Sequence, residues 1–131
     1  MKMINLFLAG FLLFATNCSN DEPEKEQTLK DKLIGNWTEL LPCENCNTFT
    51  FLQNDSIIQT TKSDDTTYSL SFVVINKDTI QVSRNWDIEQ VKKTTKHKIV
   101  FLSNDTVIIN QFLPVDFGIT GFEDIKLTKS E

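Results

Sequence analysis

Three cysteines are the residues of this chain whose chemistry depends most on their spacing and surroundings. Cys43 and Cys46 lie in the segment 42–46 (PCENC), three positions apart. A short turn can bring two such cysteines within the Cα separation of roughly 4.4–6.8 Å that a disulfide needs, so we expect a local disulfide. A redox-active pair is the alternative, but Glu44 between the thiols opposes thiolate formation. Zinc binding is disfavoured because four ligands are wanted and His97 is the only histidine.

The remaining polar residues form no recognisable catalytic grouping. Asp64 and Asp65 are adjacent, as are Glu123 and Asp124. Adjacent carboxylates in a strand point to opposite faces and cannot share a proton. The chain has four glycines, and none has the spacing of a phosphate-binding loop. The sequence therefore predicts a protein that is not an enzyme and that uses no cofactor or metal.

The first seventeen residues have the pattern of a secretory signal peptide. Lys2 precedes the apolar run 4–15 (INLFLAGFLLFA), which is shorter than the roughly 20 residues of a membrane-spanning helix. The segment 13–18 (LFATNC) resembles the relaxed lipobox of lipoproteins from Bacteroidota. This resemblance implies a lipid on Cys18 and an outer-membrane lipoprotein that faces the periplasm or the cell surface. An ordinary secretory signal followed by an incidental cysteine is the alternative.

The rest of the chain divides into a tether and one domain. Residues 18–28 are polar and acidic, which is typical of a flexible tether, and residues 29–131 are long enough to form their own core. Loss of residues 1–17 leaves 114 residues with 18 acidic and 12 basic side chains, a net charge of −6. This balance argues against nucleic acid as a partner. We interpret the basic segment 92–98 (KKTTKHK) as a solvated hairpin edge rather than a contact for an acidic partner.

Period-two alternation of apolar residues dominates the domain. It is visible in four segments: Phe49/Phe51, Leu70/Phe72/Val74, Ile80/Val82 and Ile125/Leu127. The segment 51–58 (FLQNDSII) is repeated at 101–108 (FLSNDTVI) and more loosely at 74–80, and each copy predicts a hairpin turn at Asn and Asp. These features predict an all-β antiparallel sandwich or barrel of seven or eight strands. Only residues 28–33 look helical, and 85–91 are ambiguous.

Gly35 and Trp37 form a Gly-x-Trp motif at the first strand, after the short helical segment. Together with the long meander, this motif resembles the lipocalin-like lipoproteins of Bacteroidota. The resemblance implies a small antiparallel up-and-down meander barrel of about eight strands over residues 29–131, with the tryptophan at its base. In that family an arginine of the last strand usually covers the tryptophan. Here Lys126 or Lys129 could take its place.

The resemblance also implies a small apolar or amphipathic ligand inside the barrel. The candidate residues for its interior and lid are Trp37, Phe49, Phe51, Phe72, Phe101, Phe112 and Phe117. We expect the apolar segment 112–119 (FLPVDFGI) to be a connection that covers one barrel end, either as a lid or as a plug. The leading hypothesis is a non-enzymatic binding module anchored in the cell envelope. The alternative is a filled barrel that acts as a protein-interaction, accessory or inhibitor module, because the same aromatic residues could fill so small an interior.

Overall fold

The computed structural model describes residues 26–86, 91–116 and 119–131. In chain order its elements are α1 (Leu29–Leu33), β1 (Gly35–Leu41), β2 (Asn47–Phe51), β3 (Ser56–Thr61), β4 (Thr66–Asn76), β5 (Thr79–Trp86), β6 (Val91–Ser103), β7 (Thr106–Asp116) and β8 (Ile119–Lys129). Each strand pairs antiparallel with the next, and β8 pairs with β1, so the sheet closes. The predicted all-β, up-and-down meander barrel of about eight strands is therefore confirmed.

The two ends of the barrel differ in their connections. At the end that we call the base, α1 precedes β1, and three short connections join hairpins at residues 52–55, 77–78 and 104–105. Asp55 has a φ of 65°, in the left-handed region that Asp and Asn tolerate best among residues with a side chain. The hairpins predicted from the repeated segments are thus confirmed. The opposite end, which we call the upper end, carries the loops 42–46 and 62–65.

Helix α1 is stabilised by its N-cap, and an ion pair holds it against the base. Thr28 is the N-cap, and its side chain and that of Asp31 accept from each other's backbone N–H in a capping box. Lys30 Nζ lies 2.7 Å from a carboxylate oxygen of Asp55 in the turn after β2. Leu33 is fully buried. The helix predicted near residues 28–33 is confirmed, and among the described residues no helix is long and apolar enough to cross a membrane.

The interior is filled by alternate residues of the strands, as the period of two requires. Two pairs of aromatic rings meet edge to face with centroids 5.5 Å apart, Phe49 with Phe112 and Phe51 with Phe72. The buried apolar core comprises Leu33, Trp37, Phe49, Phe51, Ile57, Leu70, Phe72, Ile80, Val82, Ile99, Val107, Ile109, Phe112, Ile125 and Leu127. It extends from the base to at least the level of Phe112.

The upper parts of β6 and β7 are not paired with each other in the described residues. Their ladder joins Ile99–Ser103 to Thr106–Ile109, whereas residues 91–98 pair only with β5. Above Ile109 the register of β7 against β8 shifts, and Gln111 has a φ of 49°. These features are typical of a β-bulge, which bends a strand locally and interrupts its ladder.

The prediction that residues 112–119 form a connection is wrong. Strand β7 continues to Asp116 and β8 begins at Ile119, so only residues 117–118, which lie outside the described residues, separate them. Pro114 lies within the upper part of β7. It is compatible with this strand because proline lacks an N–H and the upper part of β7 has no β6 partner to receive one.

The ambiguous segment 85–91 contributes its first two residues to β5 and its last to β6. Residues 87–90 between them lie outside the described residues.

Candidate functional site

Trp37 closes the base from inside. Its indole Nε1–H donates to the backbone carbonyl of Leu33 in α1 at 2.7 Å. Lys129 Nζ lies 5.4 Å from the centre of the indole ring, and the ring of Phe101 packs against it at 6.4 Å. Of the two lysines proposed as substitutes for an arginine, Lys129 is therefore the one that covers the tryptophan.

Gly35 has a structural reason to be glycine in this motif. Its φ is 131°, a backbone conformation that residues with a side chain rarely adopt. A Cβ at this position would also lie 3.3 Å from Cε of Lys129. The Gly-x-Trp motif thus lets the chain leave α1 and still leaves space for the lysine over the indole.

The predicted ligand-lining residues occupy two places in the structure. Phe49, Phe51, Phe72 and Phe112 are buried in the core and fill it by packing on one another. Trp37 and Phe101 meet at the base. The lower interior is therefore occupied by the protein's own side chains. Phe117, predicted as part of a lid, lies outside the described residues.

A polar network occupies the upper interior beside Phe112. It consists of Arg84 on β5 and of Thr95 and His97 on β6, and we call it the upper network. Arg84 Nη1 donates to Thr95 Oγ1 at 2.9 Å, and Arg84 Nη2 donates to the carbonyl of Phe112 at 2.6 Å. Thr95 Oγ1 lies 2.6 Å from His97 Nε2, and His97 Nδ1 lies 3.0 Å from the carbonyl of Asn110. A neutral histidine with its proton on Nδ1 satisfies every contact in this chain of hydrogen bonds.

The upper network compensates for the interrupted pairing of β6 and β7. The carbonyls of Asn110 and Phe112 belong to the part of β7 that has no ladder to β6, and they accept from His97 and Arg84 instead. Buried carbonyls need such partners, because leaving one unpaired costs about 1–3 kcal/mol. On the β8 side, Asp124 accepts from the backbone N–H of Gln111 at 2.7 Å and from Asn110 Nδ2 at 3.1 Å.

Burial sets the protonation of the upper network. It lowers the pKa of His97 below its usual 6.5, and the nearby charge of Arg84 lowers that pKa further, against two backbone hydrogen bonds that raise it. Burial also lowers the pKa of Arg84 to about 10. At neutral pH the interior thus contains an uncharged imidazole and a charged guanidinium, and Arg84 is only 7% exposed.

A second polar cluster lies under the disulfide loop, on the β1–β3 side of the upper end. The carboxylate of Glu39, which is fully buried, accepts from the N–H of Cys43 at 3.1 Å and from Asn47 Nδ2 at 2.6 Å. Asn47 Oδ1 in turn accepts from Gln59 Nε2 and Thr61 Oγ1 at 3.2 and 3.0 Å. The carboxylate is held by neutral donors, and it fixes the loop that follows β1.

The predicted disulfide between Cys43 and Cys46 is confirmed, with the two Cα atoms 5.5 Å apart. The loop is tied to the barrel by the N–H of Asn45, which donates to the carbonyl of Glu39, and by the N–H of Lys62, which donates to that of Cys46. It covers part of the upper end. Cys18, the predicted lipidation site, lies outside the described residues.

The sequence analysis missed the buried charged residues of the upper end. Three buried charged or polar residues each lie two positions from an inward-facing apolar residue of the same strand: Glu39 after Trp37, Arg84 after Val82 and His97 before Ile99. Alternation alone therefore places all three side chains in the interior. An interpretation of the basic segment 92–98 as one exposed run overlooks this alternation. In the structure Lys96 and Lys98 face outward, whereas Thr95 and His97 face inward.

Outside the barrel, one cavity of about 490 Å³ lies at the base, between α1 and the hairpin of β6 and β7. Its wall includes Lys32, Phe101 and Lys129, and it is separate from the interior that the resemblance implied as a ligand site. In the described part of the chain, no three side chains of the metal-binding types come together.

Comparison with known proteins adds no relative. A scan against models of protein families and a search of curated proteins found no match to this chain. The function must therefore be inferred from the geometry of the two barrel ends.

Proposed function

We propose that this protein is a non-enzymatic, envelope-anchored binding module that holds one small amphipathic molecule at the upper end of its barrel. The observation that carries this proposal is the buried Arg84 in an otherwise packed interior. A guanidinium taken out of water costs several kcal/mol, and a barrel of this size can be filled with apolar side chains at no such cost. A role in ligand binding would explain why the charged guanidinium of Arg84 is buried in the upper interior.

The shape of the barrel supports the upper end as the binding end. The base is closed by Trp37, Lys129 and α1, and the aromatic core fills the space above them. Lys93 and Phe122 lie near Arg84 on the upper side, and Lys93 is exposed. A ligand reaching Arg84 from solvent would pass these two side chains, so it would meet both an aromatic ring and a positive charge.

The second part of the proposal is a lipid anchor, which is inferred from the N-terminal sequence. The lipobox-like segment 13–18 makes Cys18 the candidate lipidation site, with the polar residues after it as a tether. The chain enters the barrel through Thr28 and α1 at the base. An anchor on that side would leave the upper end open to soluble molecules of the periplasm or the cell surface.

One observation favours the alternative of a filled interaction module. Four apolar residues are exposed on the outer faces of β4 and β6, led by Val73 at 60% and Leu102 at 54%, with Ile75 and Val100. Exposed apolar surface on a small domain marks contact sites for proteins when it is contiguous. In that function the upper network would serve only to support the bulge in β7.

Native mass spectrometry tests the ligand part of the proposal. The protein would be extracted from its own host in mild detergent, and its mass would be compared under native and denaturing conditions. We expect a small molecule that is present in the native mass and lost on denaturation. A native mass equal to the denatured mass, together with a co-purifying protein that Val73→Ser or Leu102→Ser releases, would favour the interaction module.

The denatured mass tests the anchor in the same experiment. We expect a chain that begins at Cys18 and carries the added mass of acyl chains, and a Cys18→Ser variant that no longer partitions into the detergent phase. A protein cut elsewhere and without added mass would refute the anchor but leave the ligand proposal intact.

A further inference from the structure

Arg84 has hydrogen-bond donors in excess of the acceptors around it. A guanidinium carries five N–H groups, and the described residues supply two acceptors, Thr95 Oγ1 and the carbonyl of Phe112, both neutral. The only ion pair among the described residues joins Lys30 to Asp55 at the base. A buried guanidinium usually has a carboxylate partner, and among the residues whose side chains are described Arg84 has none for its charge and its remaining donors.

A second cation is placed directly opposite. Lys93 on β6 is the cross-strand partner of Arg84, and both side chains approach the ring of Phe122. Lys93 Nζ lies 5.2 Å and Arg84 Cζ 6.0 Å from its centre. Like charges directly opposite in an antiparallel pair destabilise the sheet. An anion between them converts this repulsion into attraction.

The aromatic rings give the site an apolar wall. Arg84 Cζ lies 4.9 Å from the centre of Phe112, whose ring is buried, and Phe122 is half-buried on the other side. The hydrogen bond to Thr95, which is itself bound to His97, holds the guanidinium in one orientation. A planar guanidinium held in one orientation can donate two parallel hydrogen bonds to the two oxygens of an acidic group. A lysine ammonium at the same position could not make this two-point contact.

From this arrangement we propose that the ligand of the upper end is an organic acid with an apolar body. Its acidic group pairs with Arg84, Lys93 attracts it at the entrance, and its apolar part lies against Phe112 and Phe122. This inference rests on the proposed function, since it names the class of amphipathic molecule that the barrel binds.

Two fluorescent probes that differ in one acidic group test it. Anilinonaphthalene sulfonate is an acid, and phenylnaphthylamine has the same ring system without the sulfonate. Both would be titrated into the mature chain carrying Cys18→Ser, which has no lipid. We expect the acidic probe to bind at least about tenfold more tightly, and Arg84→Met to weaken it by roughly 10- to 100-fold with little effect on the neutral probe.

Three controls separate a binding role of Arg84 from a structural one. Lys93→Met, at an exposed position, should fold normally and weaken the acidic probe by about threefold. Lys98→Met removes the same charge from the outer face of the same strand and should change neither affinity. Near-ultraviolet circular dichroism confirms that each variant keeps its packed core, and displacement of the acidic probe by decanoate but not by decanol extends the result to carboxylates.

The outcomes distinguish this inference from the proposed function. If both probes bind equally well, the acid site is refuted and a neutral ligand remains. If the acidic preference persists in both Arg84→Met and Lys93→Met, the site is also refuted, because the acidic group is then bound by other residues. If neither probe nor decanoate binds, the proposed function itself fails.

Discussion

The two ends of the barrel use the same strands in opposite ways. At the base, Trp37 packs against Phe101, its indole N–H donates to Leu33 of α1, and Lys129 of β8 covers its ring. At the upper end, Glu39, Arg84 and His97 are buried, and the pairing of β6 with β7 is interrupted. The base is closed by aromatic packing, whereas the upper end contains buried charged groups that a purely apolar core would not have.

In a barrel with a filled core, buried charged residues are a better guide to function than buried aromatic residues. Aromatic residues suggested a ligand pocket in the sequence, yet the buried ones pack on one another. The buried charged residues occupy inward-facing positions of the same strands as the apolar ones. They identify the part of the interior that is not an apolar core. Variants at the base and at the upper end test this difference between the two ends.

Trp37→Ala should produce the largest effect. It removes a fully buried indole, its hydrogen bond to Leu33 and the surface under Lys129, and we expect a loss of about 3–5 kcal/mol in the free energy of unfolding. Urea denaturation followed by far-ultraviolet circular dichroism measures it. The control is Val73→Ala on the outer face, which should change stability by no more than about 0.5 kcal/mol. A loss at Trp37 as small as that of the control would show that the base is not the stabilising end.

Removing the disulfide should have an intermediate effect at the upper end. Cys43→Ser combined with Cys46→Ser frees a loop of only a few residues, for which loop-closure entropy predicts a loss of about 2 kcal/mol. Urea denaturation in the presence and absence of a reductant measures it, and the reduced wild-type protein should match the double variant. A reductant that lowers the stability of the double variant as well would point to a different origin of the effect.

His97 should make stability depend on pH in a predictable direction. Its pKa is lowered in the folded protein, so below about pH 6.5 the unfolded chain takes up a proton that the folded protein does not. Stability is therefore complete above the unfolded pKa and falls as the pH drops toward the folded one, by at most about 1.4 kcal/mol per pH unit.

The measurement for His97 is urea denaturation between about pH 7.5 and about pH 5.5, a range in which histidine is the main side chain that titrates. The matched variant is His97→Gln, which keeps polar atoms but does not titrate there. We expect the wild type to lose more stability than the variant over this range. Equal losses would show that the imidazole is not the group responsible.

Lys129→Ala should produce the smallest effect. It removes the cation over the indole, and we expect a loss of about 0.5–1 kcal/mol. Lys129→Arg should retain the stability of the wild type, because a guanidinium stacks on an indole at least as well. The control is Lys98→Ala on the outer face of β6. A result for Lys129→Ala that equals this control would show that the lysine does not contribute to closing the base.

The residue pattern was enough to predict an all-β antiparallel fold, with a sandwich and a barrel both left open. Alternating apolar residues specified strands, the repeated Asn-Asp segments specified three hairpin turns, and Gly35 and Trp37 specified the start of β1. The spacing of Cys43 and Cys46 was enough to predict their disulfide. Each of these features is local, because a turn, a strand or a short loop depends on residues that are close in the chain.

Which side chains contact each other in the barrel interior could be learned only from the tertiary structure. The bulge at Gln111 depends on partners from two other strands: Asp124 on one side, and His97 and Arg84 on the other. Pro114 can lie within β7 because no described residue of β6 pairs with this part of the strand and needs an N–H from it, which the sequence cannot show. The upper network forms because the folded sheet brings β5, β6 and β7 together. None of its residues belongs to a motif that the sequence alone would identify.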